Sequence, residues 1–281
     1  MDLVLRRWIA PAALLWAAAF AHGQLYGVDY DSGRIYRIDT TNATLTQVGN
    51  PGITNIADLV LGEDGNVYGY TTGNNATLYR YNPTTWAATK VGALGNGFFF
   101  EGALAINDDG VVYGANFGTN VNDFMFTLNL ATGAATTGPQ LGGFPHDFNG
   151  FDFRSDGELV GIDREDNALW QIDVSNGNLI QVAALNPTLG EVGGMATLGN
   201  TSYFCTAGPG GVLAGTNQLF TINESTGATT LVGGFGATIN GTGISGLVAI
   251  NPAPEPASLL ALGGLAALAA RKRRTRKEAS K

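Results

Sequence analysis

Between Gln24 and Asn251 the chain alternates short apolar runs with clusters of Gly, Asn, Asp, Ser and Thr. The stretch Leu25 to Gly65 shows the pattern in full. It reads Leu25-Tyr26-Gly27-Val28-Asp29, Arg34-Ile35-Tyr36-Arg37-Ile38-Asp39, Leu45-Thr46-Gln47-Val48-Gly49, then Ile56-Ala57-Asp58-Leu59-Val60-Leu61-Gly62. Runs this short, bounded by Gly and Asx, predict strands and not helices. No amphipathic helix pattern appears between Gln24 and Asn251.

The same sentence is written five times. A Tyr-Gly signal recurs at Tyr26-Gly27, Tyr68-Gly69, Tyr113-Gly114 and Val160-Gly161, with Phe204-Cys205 aligned as a degenerate fifth copy, in steps of 42, 45, 47 and 44 residues. An aromatic landmark follows each: Tyr36, Tyr79, Phe126, Trp170 and Phe220, closing three residues later on Asp39, Asn82, Asn129, Asp173 or Asn223. Asx followed by Thr, Ser or Gly suits a tight reversal. A period in the forties with four strands per unit predicts an all-β, five-bladed β-propeller with four-stranded blades. The fourth run of each unit is built from small residues around one large one: Leu59, Leu104, Phe151, Met195 and Leu247. Small residues suit the crowded strand at a propeller axis, so each blade is expected to begin there. On that phasing the first blade lacks its inner strand, and Ile244 to Ile250 has no strands after it. Pairing these two chain ends closes the ring and removes exposed edges.

Composition refines this picture. The net charge of -8 over 281 residues conceals a split. The segment 24–251 holds six Lys/Arg against twenty Asp/Glu, a charge near -14, while seven basic residues crowd the last eleven positions. So acidic a domain repels nucleic acid and anionic lipid. Cys205 stands alone, which excludes an internal disulfide, and two histidines with one cysteine argue against a His/Cys zinc site.

The two ends carry address signals. Arg6 and Arg7, an apolar run from Trp8 to Phe20, and the small residues of Ala19-Phe20-Ala21 read as a secretory signal peptide over 1–23. After the propeller segment, 24–251, comes a stiff Pro252-Ala253-Pro254-Glu255-Pro256 linker over 252–256. Residues 257–281 are expected to form one hydrophobic helix with a basic cytoplasmic tail, opened by Arg271-Lys272-Arg273-Arg274. Pro254-Glu255-Pro256, the short Leu/Gly/Ala helix and the Arg-rich end resemble the PEP-CTERM sorting domain of Gram-negative bacteria. That resemblance implies an exosortase-type partner, a membrane transpeptidase-like enzyme that removes the tail near Pro-Glu-Pro. It implies transit through the inner membrane and delivery to the surface or matrix, with exopolysaccharide or surface proteins as partners. The propeller resembles Tyr-Gly/Ile-Asp repeat proteins found before such tails.

Candidate chemistry is thin. Asp58, Glu101, Asp147, Asp152 and Glu191 lie on or beside inner strands, where a channel mouth could gather them. Crowded carboxylates raise one another's pKa or recruit a cation. Five-bladed propellers include glycosidases, and two spaced carboxyls are the minimum for that chemistry. These five acids do not share one register, however, so solvated strand-end acids are expected instead. His146 reads as a loop residue. Asp163-Arg164-Glu165-Asp166-Asn167 reads as an acidic hairpin turn that lacks the ligand spacing of a calcium loop. Gly208-Pro209-Gly210-Gly211 lacks the Lys and following helix of a phosphate loop. No catalytic residue, metal or cofactor is expected. The expected function is a non-enzymatic, exported surface or matrix binding module; the alternative is a glycan-processing hydrolase using channel carboxylates.

Overall fold

The structure, a computed structural model, describes residues 23–251 except 96, 98, 100–101, 118–122, 144–145, 186–190, 207–216, 237–238 and 240. The signal segment up to residue 22, and the linker, helix and basic tail expected beyond Asn251, lie outside the described residues.

Among the described residues, twenty strands form five four-stranded antiparallel sheets. Blade I consists of β20 (Ile244–Ile250), β1 (Gln24–Asp29), β2 (Ile35–Ile38) and β3 (Leu45–Gly49). Blade II follows as β4 (Ile56–Leu61), β5 (Val67–Thr71), β6 (Thr77–Tyr81) and β7 (Ala88–Ala93). Blade III is β8 (Leu104–Ile106), β9 (Val112–Phe117), β10 (Asp123–Leu128) and β11 (Ala135–Gln140). Blade IV is β12 (Phe148–Phe153), β13 (Leu159–Asp163), β14 (Ala168–Ile172) and β15 (Leu179–Ala184). Blade V is β16 (Val192–Leu198), β17 (Thr201–Thr206), β18 (Gln218–Ile222) and β19 (Thr229–Gly234). The inner strands β20, β4, β8, β12 and β16 adjoin one another around the axis. The ring closes as expected: β20 pairs with β1 in the register Leu25↔Ala249, Tyr26↔Val248, Gly27↔Leu247.

Cross-strand register explains the repeat signals. The glycine of each Tyr-Gly pair faces the large residue of the inner strand on one side: Gly27↔Leu247, Gly69↔Leu59, Gly114↔Leu104, Gly161↔Phe151. On the other side it faces the aromatic landmark: Tyr36, Tyr79, Phe126 or Trp170. At Gly114 a Cβ would strike the Phe126 ring, whereas at Gly27, Gly69 and Gly161 it would first meet Ile244, Leu59 and Phe151 of the inner strands. An aromatic covering a strand glycine restores the packing that glycine forgoes. Blade V departs by one residue from the sequence alignment. Phe204, not Cys205, occupies the glycine register, opposite Met195 and Phe220. There the two rings stack at 5.2 Å and 12°, so a second aromatic fills the space that elsewhere is left by glycine.

The core is divided among blade interfaces. Leu59 packs with Val28 and Ile35 of blade I and Val67 of blade II. Leu104 joins blades II and III, Phe151 joins III and IV, Met195 joins IV and V, and Leu247 joins V and I. One large side chain per inner strand thus anchors one apolar cluster per interface, and all five are at most 2% exposed.

A second ring of contacts runs around the rim. In the turn after the third strand of each blade, Asp39, Asn82, Asn129, Asp173 or Asn223 accepts the amide two residues on at 2.8–3.0 Å. Its carbonyl accepts the amide four residues on at 2.7–2.8 Å, from Ala43, Trp86, Gly133, Gly177 or Gly227. These five residues adopt φ between 56° and 84°. Each turn rests on the outermost strand of the preceding blade: Asn42-Ala43 on Gly233, Trp86 on Gly49, Thr132-Gly133 on Gly92, Gly177 on Gln140 and Gly227 on Ala183. At Gly92 the Thr132 carbonyl occupies the place a Cβ would take, so the latch fixes that residue type.

Candidate functional site

At the axis the inner strands present small residues one position before their large anchors: Ala103, Gly150, Gly194 and Gly246. Blade II has Asp58 instead. Asp58 is 0% exposed and its side chain lies against Gly194 of β16 and Gly246 of β20. Oδ1 accepts from Leu59 N at 2.8 Å and Leu247 N at 3.3 Å; Oδ2 accepts from Leu104 N at 2.8 Å. One side chain therefore ties β4, β20 and β8 together. Burial holds its carboxyl well above the usual carboxylate range, against the opposing pull of those three amides. Asp58 sits inside the disc, so it is not an acid at a channel mouth.

The other acids separate by face. All five inner strands run in the same sense, so residues preceding them share one face, here the leading face, and residues at their ends share the trailing face. Asp147 and Glu191 precede β12 and β16 and are brought together by Arg164, the residue after β13. Its guanidinium lies 2.6 Å from Asp147 and also pairs with Glu191. Its backbone N–H donates to the Asp147 carbonyl at 3.0 Å. This bridge spans blades IV and V. Glu101 lies outside the described residues.

Beside the bridge lies a cluster that the sequence pattern did not single out. Asp163, the last residue of β13, is 0% exposed. Its Oδ1 accepts from Asp147 N at 3.2 Å and Glu165 N at 2.9 Å, which turns Oδ2 toward His146 Nδ1. His146 is buried, stacked on Phe148 and edge-on to Trp170 at 5.3 Å. Asp166, one turn further along the hairpin, brings a carboxylate oxygen to 3.8 Å from His146 Nδ1. The ligand atoms of His146, Asp163 and Asp166 all lie within 4.8 Å of one another. From blade III, Asp123 joins the group: its Oδ2 accepts from Phe148 N at 2.7 Å, while Oδ1 is buried with no partner among the described residues. Burial, then the neighbouring Asp147 and Asp163, push its carboxyl well above the ordinary range. His146 and Trp170 line a cleft of about 660 Å³ whose wall also carries Gln140, Asn176 and Asn178. Gly142 (φ 62°) makes room for the imidazole, because a Cβ there would stand 2.8 Å from Nε2. The residues are separated by up to 43 positions in sequence, and one lone His among ordinary turn acids carries no spacing signal.

On the trailing face, Asp152 at the end of β12 accepts from Phe153 N at 2.9 Å. Burial raises its carboxyl to about 7, with Thr197 opposing and Glu224 adding to the rise. Glu224, missed in the sequence, is itself raised by burial and borders a cleft with Arg154 and Ser202. The sign for stability follows from the direction. In the unfolded chain Asp152 loses its proton near 3.8, whereas the folded chain holds it to about 7. Folding is therefore favoured at the acid end of that window and loses this contribution as pH rises through it. The melting temperature of the wild type is expected to fall between pH 5 and 7.5, and Asp152→Asn to flatten that slope in a buffer-matched thermal melt. An unchanged slope in the variant would assign the effect to other groups.

Residues 252–274 match the family model described as the PEP-CTERM protein-sorting motif. They include Pro254, Glu255, Pro256 and Arg271 to Arg274, which lie outside the described residues. No curated protein matches this sequence. Among solved structures the chain is similar to one from a nidogen/laminin complex, at 10% identity and a TM-score of 0.51, with 81% of this chain and 98% of that chain covered. It is also similar to a protein of unknown function from Bacteroides thetaiotaomicron, at 17% identity and a TM-score of 0.49, covering 76% of this chain and 56% of that one. A virginiamycin B lyase from Staphylococcus aureus is similar at 13% identity and a TM-score of 0.44, with 73% and 68% covered. At these identities the likeness extends to the fold alone.

Proposed function

We propose that this chain, which carries a PEP-CTERM sorting motif, is an exported and exosortase-processed propeller that serves at the cell surface or in the extracellular matrix as a non-enzymatic binding module. In this reading residues 1–23 direct export and are removed. Residues 257–281 hold the precursor in the inner membrane, with Arg271 to Arg274 on the cytoplasmic side. An exosortase-type enzyme then cuts near Pro254-Glu255-Pro256, and exopolysaccharide or a surface protein is the partner.

The observation that carries the reading is the placement of the motif. The last strand ends at Ile250 and the matched motif begins at residue 252. A cut at Pro-Glu-Pro therefore leaves β20 in place and the ring closed, so the tail is expendable to the fold. The non-enzymatic reading draws support from three of the candidate acids. Asp58 is enclosed at the axis, and Asp147 and Glu191 are paired with Arg164. Each of the three is engaged by backbone amides or by Arg164, whereas hydrolysis of a glycosidic bond needs a spaced pair of carboxyls flanking it.

Intact mass of the protein released from the producing bacterium tests the processing. The expected mass lacks both the N-terminal segment and the basic tail. A released form that keeps Arg271 to Lys281 contradicts exosortase processing.

A further inference from the structure

We infer that His146, Asp163 and Asp166 form a binding site for one divalent first-row transition-metal ion, of the Zn²⁺ or Mn²⁺ class. The three ligand atoms already converge within 4.8 Å, and two of the residues are buried: His146 and Asp163 have side chains 5% and 0% exposed. Asp166 is 46% exposed and closes the group from the solvent side.

The geometry is held from outside the group. Asp163 Oδ1 is engaged by two backbone amides, which leaves Oδ2 turned inward. The imidazole is fixed by Phe148 and Trp170. Surrounding contacts of this kind orient metal ligands and raise affinity. The hairpin that carries Asp163 and Asp166 is anchored by Asn167, whose Nδ2 donates to the Leu185 carbonyl at 2.7 Å.

Charge points the same way. Asp147 and Asp163 are each at most 1% exposed, and Asp166 lies beside them. The cation nearest to hand, Arg164, is engaged by Asp147 and Glu191. Asp123 Oδ1 is a buried carboxyl oxygen with no partner among the described residues. Buried carboxylates in excess of cations are costly unless a positive charge joins them. A divalent ion on the His-Asp-Asp group supplies that charge.

The donor set selects the ion. One imidazole nitrogen with two carboxylate oxygens suits Zn²⁺ or Mn²⁺, whereas Ca²⁺ and Mg²⁺ take all-oxygen shells. Three protein donors leave at least one coordination position for water or a ligand oxygen, as in open zinc sites.

The test uses the purified, tag-free full chain in detergent, titrated with Zn²⁺, Mn²⁺ and Ca²⁺ by calorimetry. Expected is one equivalent of Zn²⁺ or Mn²⁺ with a rise in melting temperature, and weaker binding of Ca²⁺. Asp166→Asn changes an exposed side chain, so its metal-free melt should match the wild type. Its metal affinity should fall at least about tenfold, on the scale seen when ligand shells are disturbed. His146→Gln should abolish stoichiometric binding, and Asp39→Asn, in the rim turn of blade I, should leave it unchanged. No stoichiometric binding by the wild type, unaltered affinity in Asp166→Asn, or preference for Ca²⁺ would each overturn the assignment.

Discussion

Replacing Asp58 by Ala is expected to cost about 4 kcal/mol of folding stability, on the basis that each buried donor left unpaired costs roughly 1–3 kcal/mol and that one entering water recovers part of the loss. Three amides depend on this carboxylate, and they belong to three different inner strands. Gly194 and Gly246 crowd it so closely that a Cβ on either would stand 2.6 Å from Asp58 atoms. The surrounding backbone is therefore shaped around this one side chain. Asp58→Asn keeps one acceptor oxygen but turns an amide NH₂ toward a donor, so it should cost roughly half as much, about one lost bond with its desolvation. Urea denaturation of the two variants gives the comparison. Equal, small losses in both would mean that the axis is held by the apolar anchors alone. Because burial raises the Asp58 carboxyl, its contribution, like that of Asp152, is greatest at low pH and declines as pH rises.

Truncation after Gly243 is expected to abolish cooperative folding, while truncation after Asn251 should leave the melt unchanged. The first removes β20, whose Ile244, Leu247 and Val248 are at most 3% exposed. Burying each such side chain is worth about 1.5–3 kcal/mol, and the total stability of a domain is only about 5–15 kcal/mol. The deletion also unpairs β1 along its whole length, from Gln24↔Ile250 to Asp29↔Ile244. It takes away the anchor of the interface between blades V and I. The second truncation removes only what the sorting reading treats as disposable. Circular dichroism melts and gel filtration distinguish the two chains. A sharp transition in the shorter one would show that four complete blades hold the fold without closure.

Much of this architecture is written locally. A strand, a covered glycine and an Asx turn are each made by residues close together in sequence. Five copies of that unit therefore reveal both the period and the phase. The rim latch is partly legible too, since glycine recurs near the end of the fourth strand in β3, β7 and β19. What failed in the fifth copy was local substitution. Phe204 took the glycine place and drew the alignment one residue too far, because the sequence alone does not show that Phe220 can stack on it.

The site was far less legible. Asp58 and Asp152 look alike as strand acids, yet one bonds three strands at the axis and the other ends its strand on the trailing face. Asp147 and Glu191 lie 44 residues apart and meet only through Arg164. His146 and Asp166 belong to segments that read as an ordinary loop and an ordinary turn.

The sequence by itself determined the blade count, the pairing of the chain ends and the C-terminal motif, because periodicity, turn chemistry and composition are properties of neighbouring residues. Only the tertiary structure decided which acids are enclosed, which are paired, and that an imidazole and two carboxylates converge next to the cleft between blades III and IV. Those outcomes depend on distances between blades, which are set by ring closure and are encoded at no single position.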